Sequence, residues 1–159
     1  MTADEVLEGK KFPGRKIVII GGGSVGCELA DYLAPLLNDR FPRNRDITVL
    51  EMAPEIMLAE TGAGRSLLVQ RMISKGIKIE SNAKVTCVSE NTITYEQNGK
   101  SYSINDADTL ILAAGYHIDK TLIESLEKLG IKYHVAGDSN KVASIKEAIT
   151  DAFNLTKDL

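Results

Sequence analysis

An α/β fold with a central parallel sheet is predicted by three features of this 159-residue chain. First, an apolar run, Ile17–Ile20, ends in a cluster of glycines and is followed by apolar residues at helical spacing. Second, a further apolar run, Ile47–Leu50, ends in an acid. Third, alternation of period two begins near Ile77 and gives way to another apolar run at Asp108–Ala114. Short apolar runs bounded by turn residues are typical of buried parallel strands, whereas alternation is typical of strands with one exposed face.

The glycine cluster has the spacing of a dinucleotide-binding turn, G-x-G-x-x-G. In such a turn the first glycine permits a tight bend, the second lets the backbone approach a pyrophosphate, and the third lets the helix pack closely on the strand. The free N–H groups at the start of the helix then face the anion. Because the motif lies between a strand and a helix, we favour a dinucleotide site over a purely structural turn. The candidate residues are Gly21, Gly22, Gly23, Ser24, Val25 and Gly26.

Glu51 directly follows the second predicted strand, where a ribose hydroxyl needs an acceptor. A carboxylate at this position accepts hydrogen bonds from a ribose and repels a 2′-phosphate, so it favours NADH over NADPH. The spacing from Gly26 is longer than usual, and the polar loop Asn38–Asp46 accounts for the excess. The alternative is an ordinary surface acid at the end of a strand.

The remaining elements complete a Rossmann-like pattern with a small antiparallel meander. Residues 1–11 are expected to form a flexible polar arm. A two-residue hairpin is expected at Asn98-Gly99, since both residues tolerate positive φ. Pro35 is expected to bend or end the first helix, and Gly76 to cap the second. The expected helices are 24–37, 64–75, 121–129 and 139–157, and the later strands are 77–80, 84–89, 92–96, 100–104, 108–114 and 132–136.

Composition excludes several functional classes. The net charge of −3 argues against a nucleic-acid surface, and no apolar run is long enough to cross a membrane. The basic residues Arg40, Arg43 and Arg45 alternate with acids and are expected to form a solvated loop. No signal peptide is recognised and no metal-ligand or disulfide spacing joins the two cysteines, so a reducing cytoplasm is expected. Cys27 lies in the first helical turn, where a thiol pKa can fall, but a packing role is favoured.

No catalytic residue is predicted. The two histidines, His117 and His134, each lie beside a predicted strand end, and neither is paired with a nucleophile in the sequence. Glu28 lies on the helix that follows the glycine turn, where an acid already favours the helix dipole. Its interpretation as a cofactor contact or as a helix-stabilising acid remains open.

The order of these parts resembles the flavoproteins with two dinucleotide-binding domains. The resemblance is carried by GGGSVGCE at 21–28, by Glu51, by the meander, by Ala113-Ala114-Gly115 and by the late segment Val135–Asp138. The phrases ITVLEMAPEIM and LILAAGY are most similar to the multidomain NADH:flavin oxidoreductases of the Old Yellow Enzyme type. That branch contains 2-enoate reductase, 2,4-dienoyl-CoA reductase and trimethylamine dehydrogenase.

The resemblance implies a division of the chain and a role for each candidate residue. Residues 12–131 would be the NADH-binding domain, and 132–159 would be a remnant of the FAD-binding domain. The glycines would line the pyrophosphate, and Glu51 would take the adenosine ribose. Glu28 would lie near the nicotinamide, and Ala114 and Gly115 would form a second loop beside the nucleotide. Asp138 would match the residue that contacts the flavin in that family.

The chain also departs from the family pattern. It lacks the FMN-binding barrel, the cysteine cluster of an iron–sulfur centre, the first glycine fingerprint of the FAD domain and a redox-active cysteine pair. The resemblance therefore implies a fragment that binds NADH and works with the rest of a parent polypeptide, which would hold FMN, FAD and the iron–sulfur cluster. The isolated chain is expected to be inactive, and Asp138 to bind no flavin in it. Two alternatives stay open, namely a stand-alone nucleotide-binding regulator and a protein that holds FAD with the same glycine turn.

Overall fold

The computed structural model describes residues 1–34, 45–60 and 62–157. These residues divide into two compact units, 1–115 and 116–159. The expected boundary at 131–132 lies inside the second unit. The predicted bend at Pro35, most of the polar loop 38–46, and Arg40 and Arg43 lie outside the described residues.

The first unit is built on a parallel sheet of four strands, which are β1 (Lys16–Ile20), β2 (Asp46–Leu50), β3 (Lys78–Glu80) and β7 (Thr109–Leu112). Their order across the sheet is β3-β2-β1-β7. Strand β1 pairs in register with both of its neighbours, so that Ile19 lies between Val49 and Ile111. This arrangement confirms the predicted Rossmann-like α/β class, in which near-continuous apolar strands are buried on both faces.

Helices cover one face of this sheet. They are α1 (Ala3–Leu7), α2 (Ser24–Leu33) and α3 (Ala63–Ser74). Leu29 and Ala30 of α2 and Met72 of α3 are fully buried in one cluster with Ile17 and Ile19. Since Ile17 and Ile19 alternate with Val18 along β1, Val18 belongs to the cluster on the opposite face. The predicted helix 64–75 is confirmed, and its end at Gly76 has the positive φ of 77° expected of a cap.

The antiparallel meander covers the other face. Its strands are β4 (Lys84–Ser89), β5 (Thr92–Gln97) and β6 (Lys100–Ile104), in the order β4-β5-β6. Ile93 and Tyr95 of β5 are buried in the same cluster as Val18. Asn98 and Gly99 have φ values of 52° and 73°, as a two-residue hairpin requires, which confirms the predicted turn.

The expectation of a flexible arm at residues 1–11 is wrong. Thr2 and Glu5 form a capping box, which begins the short helix α1. Ala3 and Val6 are buried in the core, and Thr2 pairs with Leu112 as an isolated parallel bridge. The segment is therefore held by the free edge of β7 as well as by its own cap.

The second unit contains α4 (Thr121–Lys128), a 3₁₀ turn (Gly137–Ser139) and α5 (Ile145–Thr156). The strand expected at 132–136 does not form, because a strand needs a partner for its backbone groups and none is paired with it among the described residues. The last helix starts six residues later than the expected 139, since the 3₁₀ turn and the irregular residues 141–143 precede its N-cap, Ser144. Neither helix has a buried residue.

A carboxylate ties the start of β1 to the start of β7. Asp108 Oδ2 accepts hydrogen bonds from the backbone N–H groups of Arg15 at 2.8 Å and Lys16 at 2.9 Å. Partial burial opposes ionisation of Asp108, but these two donors and the Thr109 hydroxyl outweigh it and lower the pKa of the carboxyl. There is no room for a side chain at Gly14, where a Cβ atom would lie 2.5 Å from Asp108 Oδ1.

We expect Asp108→Ala to lower the free energy of unfolding by about 1–3 kcal/mol, because charge-assisted hydrogen bonds to two backbone donors are lost. Since the folded-state pKa of Asp108 lies below that of the unfolded chain, its contribution is present above the unfolded pKa and is lost as pH falls through the folded pKa. Urea unfolding at neutral and acid pH measures both effects. Asp106→Asn is the control, since asparagine tolerates the positive φ of 58° there. Equal stability of D108A and the parent at neutral pH would contradict the assignment.

Candidate dinucleotide-binding site

The candidate residues of the first unit gather at the carboxyl ends of three neighbouring strands. Gly21 follows β1, Glu51 follows β2, and the segment Ala113–Gly115 follows β7. Because β1 pairs with β2 on one side and β7 on the other, the three segments meet at one edge of the parallel sheet. This edge is where open α/β sheets bind their ligands.

The first and third motif glycines are required by close contacts of the backbone. Gly21 has a φ of 109°, and a Cβ atom there would lie 2.3 Å from the carbonyl oxygen of Ala113. At Gly26 a Cβ atom would lie 2.0 Å from the carbonyl oxygen of Gly21. Any side chain at Gly26 would therefore separate α2 from the end of β1.

Gly23 differs from both, because no contact with the described residues requires a glycine there. It is exposed, its φ of −70° is accessible to any residue, and a Cβ atom would meet no atom of residues 1–34, 45–60 and 62–157 within 4 Å. Gly23 is the N-cap of α2 and provides no capping side chain. The first-turn amide groups of a helix have no partners within it, so the start at Ser24 and Val25 offers hydrogen-bond donors beside open space.

Glu51 is held in place by two backbone donors. Its Oε2 accepts a hydrogen bond from the N–H of Gly22 at 2.5 Å, and its Oε1 accepts one from the N–H of Ala53 at 2.7 Å. The side chain is half-buried. Each carboxylate oxygen has two acceptor sites, so both oxygens retain capacity for ligand hydroxyl groups. The predicted ribose acceptor and the glycine turn are therefore directly connected.

Cys27 is a packing residue, as the sequence favoured. The side chain is fully buried in the core, and its Sγ lies 3.3 Å from the carbonyl oxygen of Gly22, to which the thiol donates. Burial, followed by the charges of Glu51 and Glu28, raises the pKa of the Cys27 thiol to about 12. A thiol with such a pKa stays protonated near neutral pH and is a poor nucleophile.

For the other predicted site residues of the first unit, no side-chain hydrogen bond to the glycine turn is found among the described residues. Glu28 is exposed on α2. Ala114 and Gly115 are exposed after β7, and Gly115 has a φ of 91°. Asp138 belongs to the second unit, where its Oδ1 accepts a hydrogen bond from the N–H of Ala143 at 3.3 Å.

Residues 52–60, which we name the covering segment, pack against the glycine turn and were not predicted to belong to the site. The N–H of Met57 donates to the carbonyl oxygen of Gly22 at 2.6 Å. A Cβ atom at Gly22 would lie 2.7 Å from the Cγ2 of Ile56, so this segment also explains the middle glycine. The covering segment lacks a repeating pattern, and no local signal in the sequence indicated these contacts.

An arginine of α3 fastens the covering segment. Arg65 donates from Nε and from one terminal nitrogen to the carbonyl oxygen of Ile56, at 3.2 and 3.0 Å. It also forms a 2.5 Å ion pair with Glu55. At the far end of the segment, the hydroxyl of Ser24 donates to Glu60 Oε1 at 2.9 Å.

Among residues 1–34, 45–60 and 62–157, no group of histidine, cysteine or acidic side chains is arranged to hold a metal ion. In the same ranges no helix has the length and apolar character needed to cross a membrane.

Comparison with known proteins identifies the family. Residues 1–143 match the model of the pyridine nucleotide-disulphide oxidoreductases, and the chain belongs to this family. Membership implies a domain of the NAD(P)- and FAD-binding type, in agreement with the glycine turn and its strands. The sequence resemblance described above is narrower, because it concerns only the NADH:flavin oxidoreductases of the Old Yellow Enzyme type.

Similar proteins are found among curated proteins and solved structures. The chain is 28% identical to the cinnamate reductase of Clostridium sporogenes over 99% of its length, and 30% identical to the NADH oxidase of Thermoanaerobacter brockii over 95%. A 2-naphthoyl-CoA reductase structure superposes with a TM-score of 0.78 at 23% identity over 98% of the chain, which shows the shared fold. In each comparison the chain spans 23% of the length of the relative.

Proposed function

We propose that the first unit binds NADH and orients it for hydride transfer to a flavin held by other parts of a longer polypeptide. The observation that carries the proposal is the hydrogen bond from the N–H of Gly22 to Glu51, which places the carboxylate beside Gly23, the next residue of the glycine turn. The open space beside the N-terminus of α2 lies next to the carboxylate of Glu51, which the N–H of Gly22 holds in place. The cinnamate reductase and NADH oxidase relatives support an oxidoreductase role for the parent protein.

The residues of this chain would bind and orient the cofactor. The amide groups at the start of α2 would hold the pyrophosphate, which Gly23 admits because it lacks a side chain. Glu51 would accept hydrogen bonds from the adenosine ribose and would repel a 2′-phosphate. Ala114 and Gly115 would border the nucleotide from the end of β7, and Glu28 is a candidate contact toward the nicotinamide. When bound, NADH supplies the hydride, and no residue of this chain needs to act as acid, base or nucleophile.

The second unit would complete the flavin-binding part of the parent protein. Its helices have apolar side chains in solvent, including Leu122, Ile145 and Phe153, which are 69%, 82% and 66% exposed. Faces of this kind normally mark contact surfaces. We infer that the rest of the parent polypeptide covers them, and that Asp138 would contact the flavin only in that complete protein.

A titration of the isolated chain with NADH, followed by cofactor fluorescence or calorimetry, tests the proposed function. We expect saturable binding at roughly micromolar to millimolar affinity, because the pyrophosphate and ribose contacts are provided while other surroundings of the cofactor are not. The purified chain should be colourless and should not oxidise NADH by itself. No saturation at several millimolar NADH in a folded sample would refute the proposal.

The colour of the preparation separates NADH binding from FAD binding by the same glycine turn. The sequence contains one G-x-G-x-x-G motif, and Asp138 offers a contact worth about 1–3 kcal/mol. Retention of a flavin at nanomolar affinity needs about 12 kcal/mol. Release of stoichiometric flavin on denaturation would therefore assign the glycine turn to FAD.

A further inference from the structure

The far end of the covering segment places a carboxylate at the start of α2. Met57 anchors the segment to Gly22, and the N–H of Glu60 donates to the carbonyl oxygen of Met57 at 2.9 Å. This turn places Glu60 next to the first residue of the helix, where it accepts the hydrogen bond of the Ser24 hydroxyl. Glu60 is exposed, and the contact joins residues far apart in the sequence.

The start of α2 is the part of the first unit most suited to an anion. The partial positive charge of a helix N-terminus favours negative groups, and Gly23 contributes no capping side chain of its own. In the proposed function the pyrophosphate of the nucleotide takes this position, and Gly23 leaves room for it because a Cβ atom there would contact none of the described residues. Among the described residues, the side chain of Glu60 is the negative group that is hydrogen-bonded to the side chain of the first helical residue, Ser24.

We propose that Glu60 competes with the pyrophosphate of the nucleotide for the start of α2 and has to move away from Ser24 when the nucleotide binds. This inference rests on the proposed function, since it concerns the same site. A carboxylate and a pyrophosphate repel each other, so the ligand gives up part of its binding free energy to displace Glu60. The covering segment thereby sets the affinity of the site for nucleotides that contain a pyrophosphate.

The substitution Glu60→Gln isolates the charge. Glutamine has the same shape and its amide oxygen still accepts the Ser24 hydrogen bond, while the repulsion of the pyrophosphate is removed. We expect the Kd for NADH to fall about three- to fivefold. A change of this size corresponds to the interaction free energy measured for exposed pairs of charges. Glu90→Gln, in the exposed turn between β4 and β5, makes the same change of net charge away from the site and should leave the Kd unchanged.

The choice of ligand identifies which part of the nucleotide competes. ADP-ribose contains the pyrophosphate, whereas adenosine has the same base and ribose without phosphate. Titration calorimetry should show that E60Q binds ADP-ribose more tightly than the parent does, and that the two proteins bind adenosine equally. Circular dichroism of both variants confirms that the fold is retained.

The outcomes separate the competition from the proposed function. If the parent binds NADH and E60Q binds it no more tightly, the competition is refuted and the proposed function stands. An equal gain for adenosine and ADP-ribose also refutes it, because the effect would not depend on the pyrophosphate. If neither protein binds NADH or ADP-ribose at several millimolar, the proposed function is refuted and the competition with it.

Discussion

Replacing Gly23 with valine should abolish NADH binding while leaving the protein folded. The added side chain would enter the open space at the start of α2, where no atom in the described part of the chain lies within 4 Å of the new Cβ. It would then occupy the position proposed for the pyrophosphate. The φ of −70° suits valine, so the expected cost in the free energy of unfolding is at most about 1 kcal/mol, the difference between glycine and a poor N-cap residue. Calorimetric titration and urea unfolding of the same preparation measure both quantities.

Gly26→Ala is the matched contrast within the same motif. Its methyl group would lie 2.0 Å from the carbonyl oxygen of Gly21, so α2 and β1 would have to move apart. We expect a loss of about 3 kcal/mol or more in the free energy of unfolding, which is at the upper end of the costs typical of substitutions that overpack a core. A folded Gly23→Val protein that binds NADH like the parent would place the phosphates elsewhere. Equal destabilisation by the two substitutions would show that Gly23 has a structural role.

Much of the first unit follows from local patterns. The strand, turn and helix around the glycine motif were predicted because the strand is uniformly apolar and the helix has a regular apolar spacing. The hairpin at Asn98-Gly99 was predictable from the φ preferences of two residues. Glu51 was identified by its position after β2, although its bond to Gly22 depends on how the two strands pair.

The errors lie where structure depends on distant partners. Thr2 and Glu5 have the spacing of a capping box, but a helix as short as α1 is marginal without the burial of Ala3 and Val6, which residues far along the chain provide. Conversely, the segment 132–136 has the apolar residues of a strand and no strand beside it among the described residues. A local pattern predicts the tendency to form a strand, whereas the pairing needs a second segment.

The covering segment shows the same limit for the site. The glycine turn and the start of α2 are contacted by Ile56, Met57 and Glu60. The segment is also held by Arg65 of α3, which donates hydrogen bonds to the carbonyl oxygen of Ile56. These contacts join residues up to 36 positions apart, as for Ser24 and Glu60. Since the segment has neither helical nor strand periodicity, its sequence does not indicate which side chains face the turn. The residue proposed to change the affinity for the nucleotide, Glu60, could therefore be identified only from the folded structure.

Replacing Glu51 with arginine should shift the preference of the site from NADH toward NADPH. The carboxylate is the proposed acceptor for the ribose hydroxyls, and its charge opposes a 2′-phosphate. A guanidinium group provides several donors for a phosphate and none of the acceptors that a ribose needs. We expect NADH binding to weaken at least tenfold, since about 1.4 kcal/mol corresponds to a factor of ten and one charge-assisted hydrogen bond is worth about 1.5–3 kcal/mol.

The two hydrogen bonds that hold Glu51 add a structural consequence to this prediction. Arginine cannot accept from the N–H groups of Gly22 and Ala53, so E51R should also lose about 1–3 kcal/mol in the free energy of unfolding. Glu51→Gln is the control, because it keeps an acceptor and removes the charge. It should weaken NADH binding without the gain for NADPH that arginine provides. Parallel titrations of the parent, E51Q and E51R with both nucleotides test this, and an unchanged NADH affinity in E51R would show that the ribose does not lie at Glu51.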